Sequence, residues 1–239
     1  IASGLWVYVA TDAAIKFSVL KLRNESGRER RLSATAYVDW VLGDLRAKSA
    51  MHVSTAIDPG SGALLARNPF NAEFAERVAF LDVDDPTPRV SGDRAEFIGR
   101  NRSLRNPAAL GRARLSDTVG AGLDPCGAIQ VRVELAAGQA REIVFRLGVG
   151  RNADEAGALV RRFRGADAAR TALEATSPAP VSAPAEVITE ELTTWAELLR
   201  RLGQLGDRPQ LSPQEEIGDH RQQDRGEHHQ HDQLMRVRR

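Results

Sequence analysis

An antiparallel, mainly β sandwich is the fold class this sequence predicts, on three observations. Apolar and polar residues alternate over long stretches, clusters of Gly, Pro, Asp and Asn separate those stretches, and the apolar spacing becomes helical only after Gly150. At 239 residues, with 42% apolar and 27% charged, the chain can bury one large β core.

The elements follow in order. Residues 5–10 form a first short strand and residues 15–23 a second. Residues 32–42 form a long strand with Leu32, Ala34, Ala36, Val38, Trp40 and Leu42 inward. Its other face carries Ser33, Thr35, Tyr37, Asp39 and Val41, and only Tyr37 offers an outward ring. Asn24, Glu25, Ser26, Gly27 and Arg28 are turn residues, so the two strands they join are expected to form an antiparallel hairpin. Residues 51–57, 63–67, 77–83 and 94–98 are shorter strands. A second hairpin is expected where Ile129, Val131, Val133 and Leu135 lead through Ala136, Ala137, Gly138 and Gln139 to Ile143, Phe145 and Leu147.

After Gly150 the pattern is that of a helix. Asn152 is its N-cap, Asp154 and Glu155 lie in its first turn, and Ala156, Leu159, Val160 and Phe163 share one face. Gly165 ends it, and Asp167 caps a second helix running to Ala175. These boundaries divide the chain into a β domain at 1–150 and linking helices at 151–176. Residues 177–205 hold a linker with Pro178, Pro180 and Pro184, then an amphipathic helix with Ile188, Leu192, Trp195, Leu199 and Leu202 on its apolar stripe. Residues 206–239 are expected to be a polar, disordered tail.

Charge and composition exclude several functions. Thirty-three Lys and Arg meet 32 Asp and Glu, for a net charge of +1, so a nucleic-acid partner is not expected. No run approaches the roughly 20 apolar residues of a membrane span, and there is no signal-peptide pattern. The expected location is the cytoplasm, with attachment to the inner membrane only through segments outside this one. Cys126 is the single cysteine, without a disulfide partner or a zinc set, and is read as a small core residue. His220, His228, His229 and His231 have a spacing that suits a metal, but their Gln-rich setting makes any binding adventitious. No metal or other cofactor is expected. No Gly-rich phosphate loop, serine nucleophile elbow or His-Glu metal helix is present, so no catalytic residue is assigned.

The stretch from Gly92 to Pro107 holds Arg94, Arg100, Arg102 and Arg105 with Asn101 and Asn106. Guanidinium and amide groups are planar donors suited to hydroxyls, carboxylates and phosphate, and Gly99 permits unusual backbone angles. Arg100, Asn101, Arg102, Arg105 and Asn106 are therefore the candidate substrate-binding residues. The alternative for the arginines is pairing with surface carboxylates or with another domain. Asn68, Pro69, Phe70 and Asn71 either line a pocket or start a turn. Trp6, Tyr8, Tyr37 and Trp40 are candidate faces for sugar stacking, although Trp40 lies on the apolar side of its strand.

Several short segments in this order and spacing resemble one family. They are Leu22-Arg23-Asn24, Tyr37-Val38-Asp39-Trp40-Val41-Leu42-Gly43, Ala66-Arg67-Asn68-Pro69-Phe70-Asn71, Gly92-Asp93-Arg94 with Phe97-Ile98-Gly99, and Leu123-Asp124-Pro125-Cys126. The family is glycoside hydrolase family 94, formerly glycosyltransferase family 36, and the match is to its N-terminal domain, in particular that of the phosphorylase-like module of cyclic β-1,2-glucan synthases. The resemblance implies an antiparallel β-supersandwich of the galactose-mutarotase-like kind over about residues 5–175. It also implies a following (α/α)6 barrel that carries the catalytic acid and most sugar- and phosphate-binding groups. Nothing after Glu197 resembles that barrel, so the chain is expected to be part of a larger protein and inactive alone.

In such an inverting phosphorylase, phosphate is the nucleophile and one carboxylic acid protonates the leaving oxygen. The implied partners are a β-glucan or oligosaccharide, phosphate, the barrel domain and a second copy in a homodimer. The implied site residues are Phe97, Gly99, Arg102, Asn106 and Pro107, since the family directs this loop towards the barrel. Asn101 stands where the family often has an aromatic residue. Two functions remain open: an architectural, carbohydrate-binding domain of a β-glucan glycosyltransferase or phosphorylase, and a stand-alone non-catalytic carbohydrate-binding or interaction module.

Overall fold

Strands β1 (Ala2–Val9), β2 (Ile15–Arg23), β3 (Arg30–Asp39), β4 (Ser54–Ile57) and β5 (Leu64–Arg67) form along the alternating segments. They are followed by β6 (Val78–Val83), β7 (Arg89–Asp93), β8 (Pro125–Leu135) and β9 (Ala140–Gly150). A computed structural model describes residues 1–176 and 234–238. The expected amphipathic helix at 188–202 and the four clustered histidines lie outside the described residues. The five residues of β10 (Leu234–Arg238), which the sequence leaves in a polar tail, lie antiparallel to β3 with Leu234 opposite Tyr37.

The strands make two antiparallel sheets, as the sequence predicts. One has the order β1-β2-β9-β6-β5-β4 and the other β10-β3-β8-β7. The two expected hairpins do not form. β2 pairs with β9 and β3 pairs with β8, so residues 24–29 and 136–139 both carry the chain from one sheet to the other. These are two corners side by side. Turn residues mark a reversal but do not say whether the next strand returns to the same sheet or crosses to the one above. β2 shows why crossing wins: six consecutive residues from Ile15 to Leu20 are buried, so it is a central strand covered on both faces.

Asn24 joins the corners. Its backbone N–H donates to Gln139 O at 2.8 Å and its carbonyl accepts from Gly138 N at 2.9 Å. Its side-chain Nδ2 donates to Arg28 O at 2.7 Å, Ala136 O at 2.9 Å and Leu135 O at 3.0 Å, two hydrogens shared among three carbonyls. Oδ1 accepts from the backbone N and the hydroxyl of Ser26. The residue is fully buried.

Three apolar layers result. Between the sheets, buried Leu20, Leu22, Leu64, Leu81, Ile143 and Phe145 face Ala34, Ala36, Ile129, Val131 and Val133. On the far side of the larger sheet, Ile15, Phe17, Val78, Phe80 and Val144 pack against α3 (Ala153–Phe163) and α4 (Ala166–Thr176) through Ala156, Val160, Phe163, Ala169 and Ala172. Asn152 caps α3 as expected, its Oδ1 accepting from Glu155 N at 2.9 Å. Asp167 lies inside the first turn of α4 rather than at its cap.

A buried charge network clamps these helices. Arg146, with no exposed surface, donates through Nε to Phe163 O at 2.7 Å and pairs with Asp82 at 3.0 Å and with Asp84. Arg164 adds bonds to Asp82 at 2.5 Å and to Ser61 O at 2.6 Å. Burial pushes the Asp82 carboxyl above its ordinary range, while Arg164 and Arg146 pull the other way.

The third layer lies on the outer face of the smaller sheet, which the alternation assigns to solvent. Tyr37 has no exposed surface and Thr35 only 5%, whereas the inward Val38 is half-buried. Residues 94–118 cover this face. The segment expected to be a strand at 94–98 is the helix α2 (Arg94–Phe97), because Asp93 Oδ1 accepts from Ala95 N at 2.9 Å and turns the chain after β7. The strand expected at 51–57 likewise shrinks to β4, preceded by α1 (Arg46–Ser49) and a 3₁₀ turn.

Removing the Asn24 amide strands buried carbonyls in both corners. Asn24→Ala should destabilise the domain by about 2–4 kcal/mol and lower the melting temperature by about 10 °C. Glu25→Ala, at an exposed position of the same corner, should change it by less than about 2 °C. Thermal melts of the two variants check this, and equal shifts would remove Asn24 from its role.

Candidate functional site

The five candidate residues sit on one closed loop. α2 has Ile98 as its C-cap, Gly99 adopts φ +87°, and Ala108 N returns to donate to Ile98 O at 2.9 Å. A side chain at Gly99 would be strained by that φ and would meet Ala108 Cβ at 3.0 Å. Arg100, Asn101, Arg102, Arg105 and Asn106 are all exposed. Within the loop, Leu104 turns inward and packs on the third apolar layer, the one apolar anchor among polar neighbours.

The foundation of this loop is rigid. Phe97 stacks on Tyr37 with ring centroids 4.5 Å apart, and Ile98, Ala109, Leu115, Cys126 and Ala128 complete the layer. Glu96, nearly buried, gathers the surrounding chain: one oxygen accepts from Ser91 Oγ at 2.6 Å and Ser116 Oγ at 2.7 Å. The other accepts from Ser116 N and Arg112 Nη1, each at 3.1 Å.

Beneath α2 lies a second charged cluster. Tyr37 donates to Asp39 Oδ1 at 2.6 Å, and Arg94 Nε faces the same carboxylate at 3.4 Å and Arg46 Nε at 3.9 Å. Arg46 also pairs with Asp124, which Arg94 approaches at 3.5 Å. The Nε groups of Arg46 and Arg94 are buried without a hydrogen bond among the described residues. They act on Asp39 as charges, not donors. Burial weakens the charge on Arg94, but Tyr37, Asp39 and Asp124 outweigh it and raise its pKa. Burial also drives the Tyr37 phenol well above its ordinary value, with Cys126 and Asp39 adding to the shift.

The other candidates resolve similarly. Cys126 is fully buried, and burial pushes its thiol far up, which fits the core role expected of it. Of the proposed stacking rings, Tyr8, Tyr37 and Trp40 are buried and only Trp6 is exposed. Tyr37, the ring expected to point outward, is instead the centre of a core. Asn68 makes a turn, with Nδ2 donating to Leu42 O at 2.9 Å and Oδ1 accepting from Phe70 N at 3.1 Å. Among the described residues no group of His, Cys, Asp and Glu is arranged for a metal. No helix among them is long and apolar enough to cross a membrane.

Asp39, Asp124 and Arg94 come from three of the segments that carry the family resemblance, and Arg46 completes the cluster they form. A sequence profile described as glycosyl hydrolase 94, supersandwich domain, matches residues 1–166. The chain belongs to this family. The supersandwich domain is 32% identical over 157 residues, 65% of the chain, to the cyclic beta-(1,2)-glucan synthase NdvB of Rhizobium meliloti (strain 1021). It is 24% identical over 140 residues, 57% of the chain, to the N,N'-diacetylchitobiose phosphorylase of Vibrio furnissii. The matched regions are 6% and 18% of those two proteins, so the chain spans a small part of either.

A raised phenol pKa fixes the sign of a pH effect. The Tyr37 contribution is complete below its unfolded value near 10.0 and is lost as pH rises above it, because only the unfolded state ionises there. The melting temperature should therefore fall steeply between about pH 9 and 11. Tyr37→Phe should make that fall shallower without abolishing it, since Tyr8 and Cys126 are shifted in the same direction. Identical slopes would place Tyr37 in a solvated setting.

Proposed function

We propose that this supersandwich is the architectural and carbohydrate-contacting domain of a β-glucan-active glycosyltransferase or phosphorylase of the cyclic β-1,2-glucan synthase type, and that chemistry resides in a helical barrel outside this chain. The observation that carries the reading is the contrast at the loop of residues 100–106. Its neck is fixed by a buried core, a carboxylate hub and a capped turn, yet its polar tip is spent on no fold contact at four positions. Arg100, Asn101, Arg102 and Asn106 have no side-chain partner among the described residues. A loop backbone already closed at its neck pays no closure entropy when its tip meets a ligand, leaving only the side-chain rotamers to be fixed.

The tip supplies guanidinium and amide donors to sugar hydroxyls or to phosphate at the edge of the barrel's pocket. Bonds to charge that develops as the glycosidic bond breaks and phosphate approaches are the ones that raise the rate. The acid that protonates the leaving oxygen belongs to the barrel. A homodimer, and a membrane anchor elsewhere in the polypeptide, are compatible additions to this reading.

In a polypeptide that joins this domain to its barrel, Arg102→Ala should lower turnover at least about tenfold, roughly 1.4 kcal/mol of transition-state stabilisation. Its melting temperature should not move, because the residue is exposed. Unchanged kinetics would confine the loop to structure. The isolated chain should release no glucose 1-phosphate from β-linked glucooligosaccharides and phosphate above the buffer rate; release by the pure chain would refute the placement of the chemistry.

A further inference from the structure

The outer face of the smaller sheet carries a groove of about 470 Å³ beyond the loop and its core. At about 3.3 Å per residue along β8, Gln130 on its floor lies about 13 Å from Cys126 and Arg132 about 20 Å. Arg89, Arg114, Arg132 and Arg141 line it, with Asp85 and Glu134.

Arg89 pairs with Asp117, which also accepts from Val90 N at 2.9 Å. Arg141 pairs with the nearly buried Asp85 at 2.9 Å and donates to Arg132 O at 3.1 Å. Glu134 faces Arg31 at 3.7 Å. Arg114 and Arg132 remain, both exposed and with no carboxylate partner among the described residues. Gln130 places them together: its Oε1 accepts from Leu115 N at 3.2 Å, which pins the segment carrying Arg114 over the strand carrying Arg132. That bond uses the amide oxygen and leaves the amide nitrogen for the groove.

Two uncompensated guanidinium forks beside an amide donor match one compact dianion. We propose that this groove binds a phosphate group, either free phosphate or the phosphate of a sugar ester, at a site separate from the loop of residues 100–106. Arg114 and Arg132 supply charge-assisted bonds, Gln130 supplies a neutral donor, and Arg89 and Arg141, each held by its own carboxylate, set the walls.

Calorimetric titration of the purified chain at low salt tests this with inorganic phosphate, glucose 1-phosphate and neutral glucose. Both phosphates should bind saturably and glucose should not. The Arg114→Gln/Arg132→Gln double variant should weaken binding at least about tenfold with an unchanged melting temperature. Arg100→Gln/Arg102→Gln should leave binding intact, which separates this site from the loop reading. A tenfold preference for glucose 1-phosphate would identify a sugar ester as the ligand, and equal affinities the oxyanion alone; either supports the site. No saturation up to about 10 mM phosphate, a Kd weaker than about −2.7 kcal/mol of binding, or equal weakening by both double variants, overturns it.

Discussion

The buried amide of Asn24 is the constraint on which the sandwich depends. A chain that crosses between two stacked sheets must turn through about 10 Å while its backbone leaves both ladders, and every polar group in that turn needs a new partner. Here one side chain and one peptide unit serve both crossings at once. Because β2 and β9 are neighbours in one sheet, and β3 and β8 in the other, locking the corners together also sets both registers. The central layer follows from that registration. On the far side, Arg146 repeats the device with charge in place of an amide, tying the last turn of α3 to β6.

The covering of the smaller sheet explains how the neck of a polar loop is fixed. Tyr37 anchors both sides of it, stacking on Phe97 and donating to Asp39, so the aromatic layer and the Asp39, Arg46, Arg94, Asp124 cluster share one residue. The cluster holds the beginning of α2 to the start of β8, and Glu96 holds its other flank to β7 and to residues 112–116. Withdrawing even part of four charges from water is costly unless each is matched. The match is made here by two arginines facing two aspartates.

Much of this was legible in the sequence, and the misses have physical causes. Alternation located β2 at its observed ends, and the helical spacing after Gly150 found α3 with its cap and buried face. Pairing was not legible, since Asn, Gly and Ser in a short turn serve a hairpin and a crossing equally well. The burial of Thr35 and Tyr37 was hidden because period two marks two faces but not whether a distant segment covers the polar one. Arg94 to Phe97 looked strand-like from its apolar positions, while the capping Asp93 was the unread signal. The loop residues were chosen as candidates from their chemistry alone. Leu104, a single apolar residue among arginines and asparagines, was visible there as the anchor and was passed over.

The hydrogen bond from Ala108 to Ile98 closes the polar loop at a neck next to the core. Apart from Gly99, with its positive φ, and Leu104, anchored on the core, the exposed residues of the loop can change identity without shifting a strand, because no ladder passes through them. The loop is thus a cassette, free to be rewritten during divergence while the sheets stay fixed. The same neck marks the place where a foreign segment would be grafted at least cost to the fold.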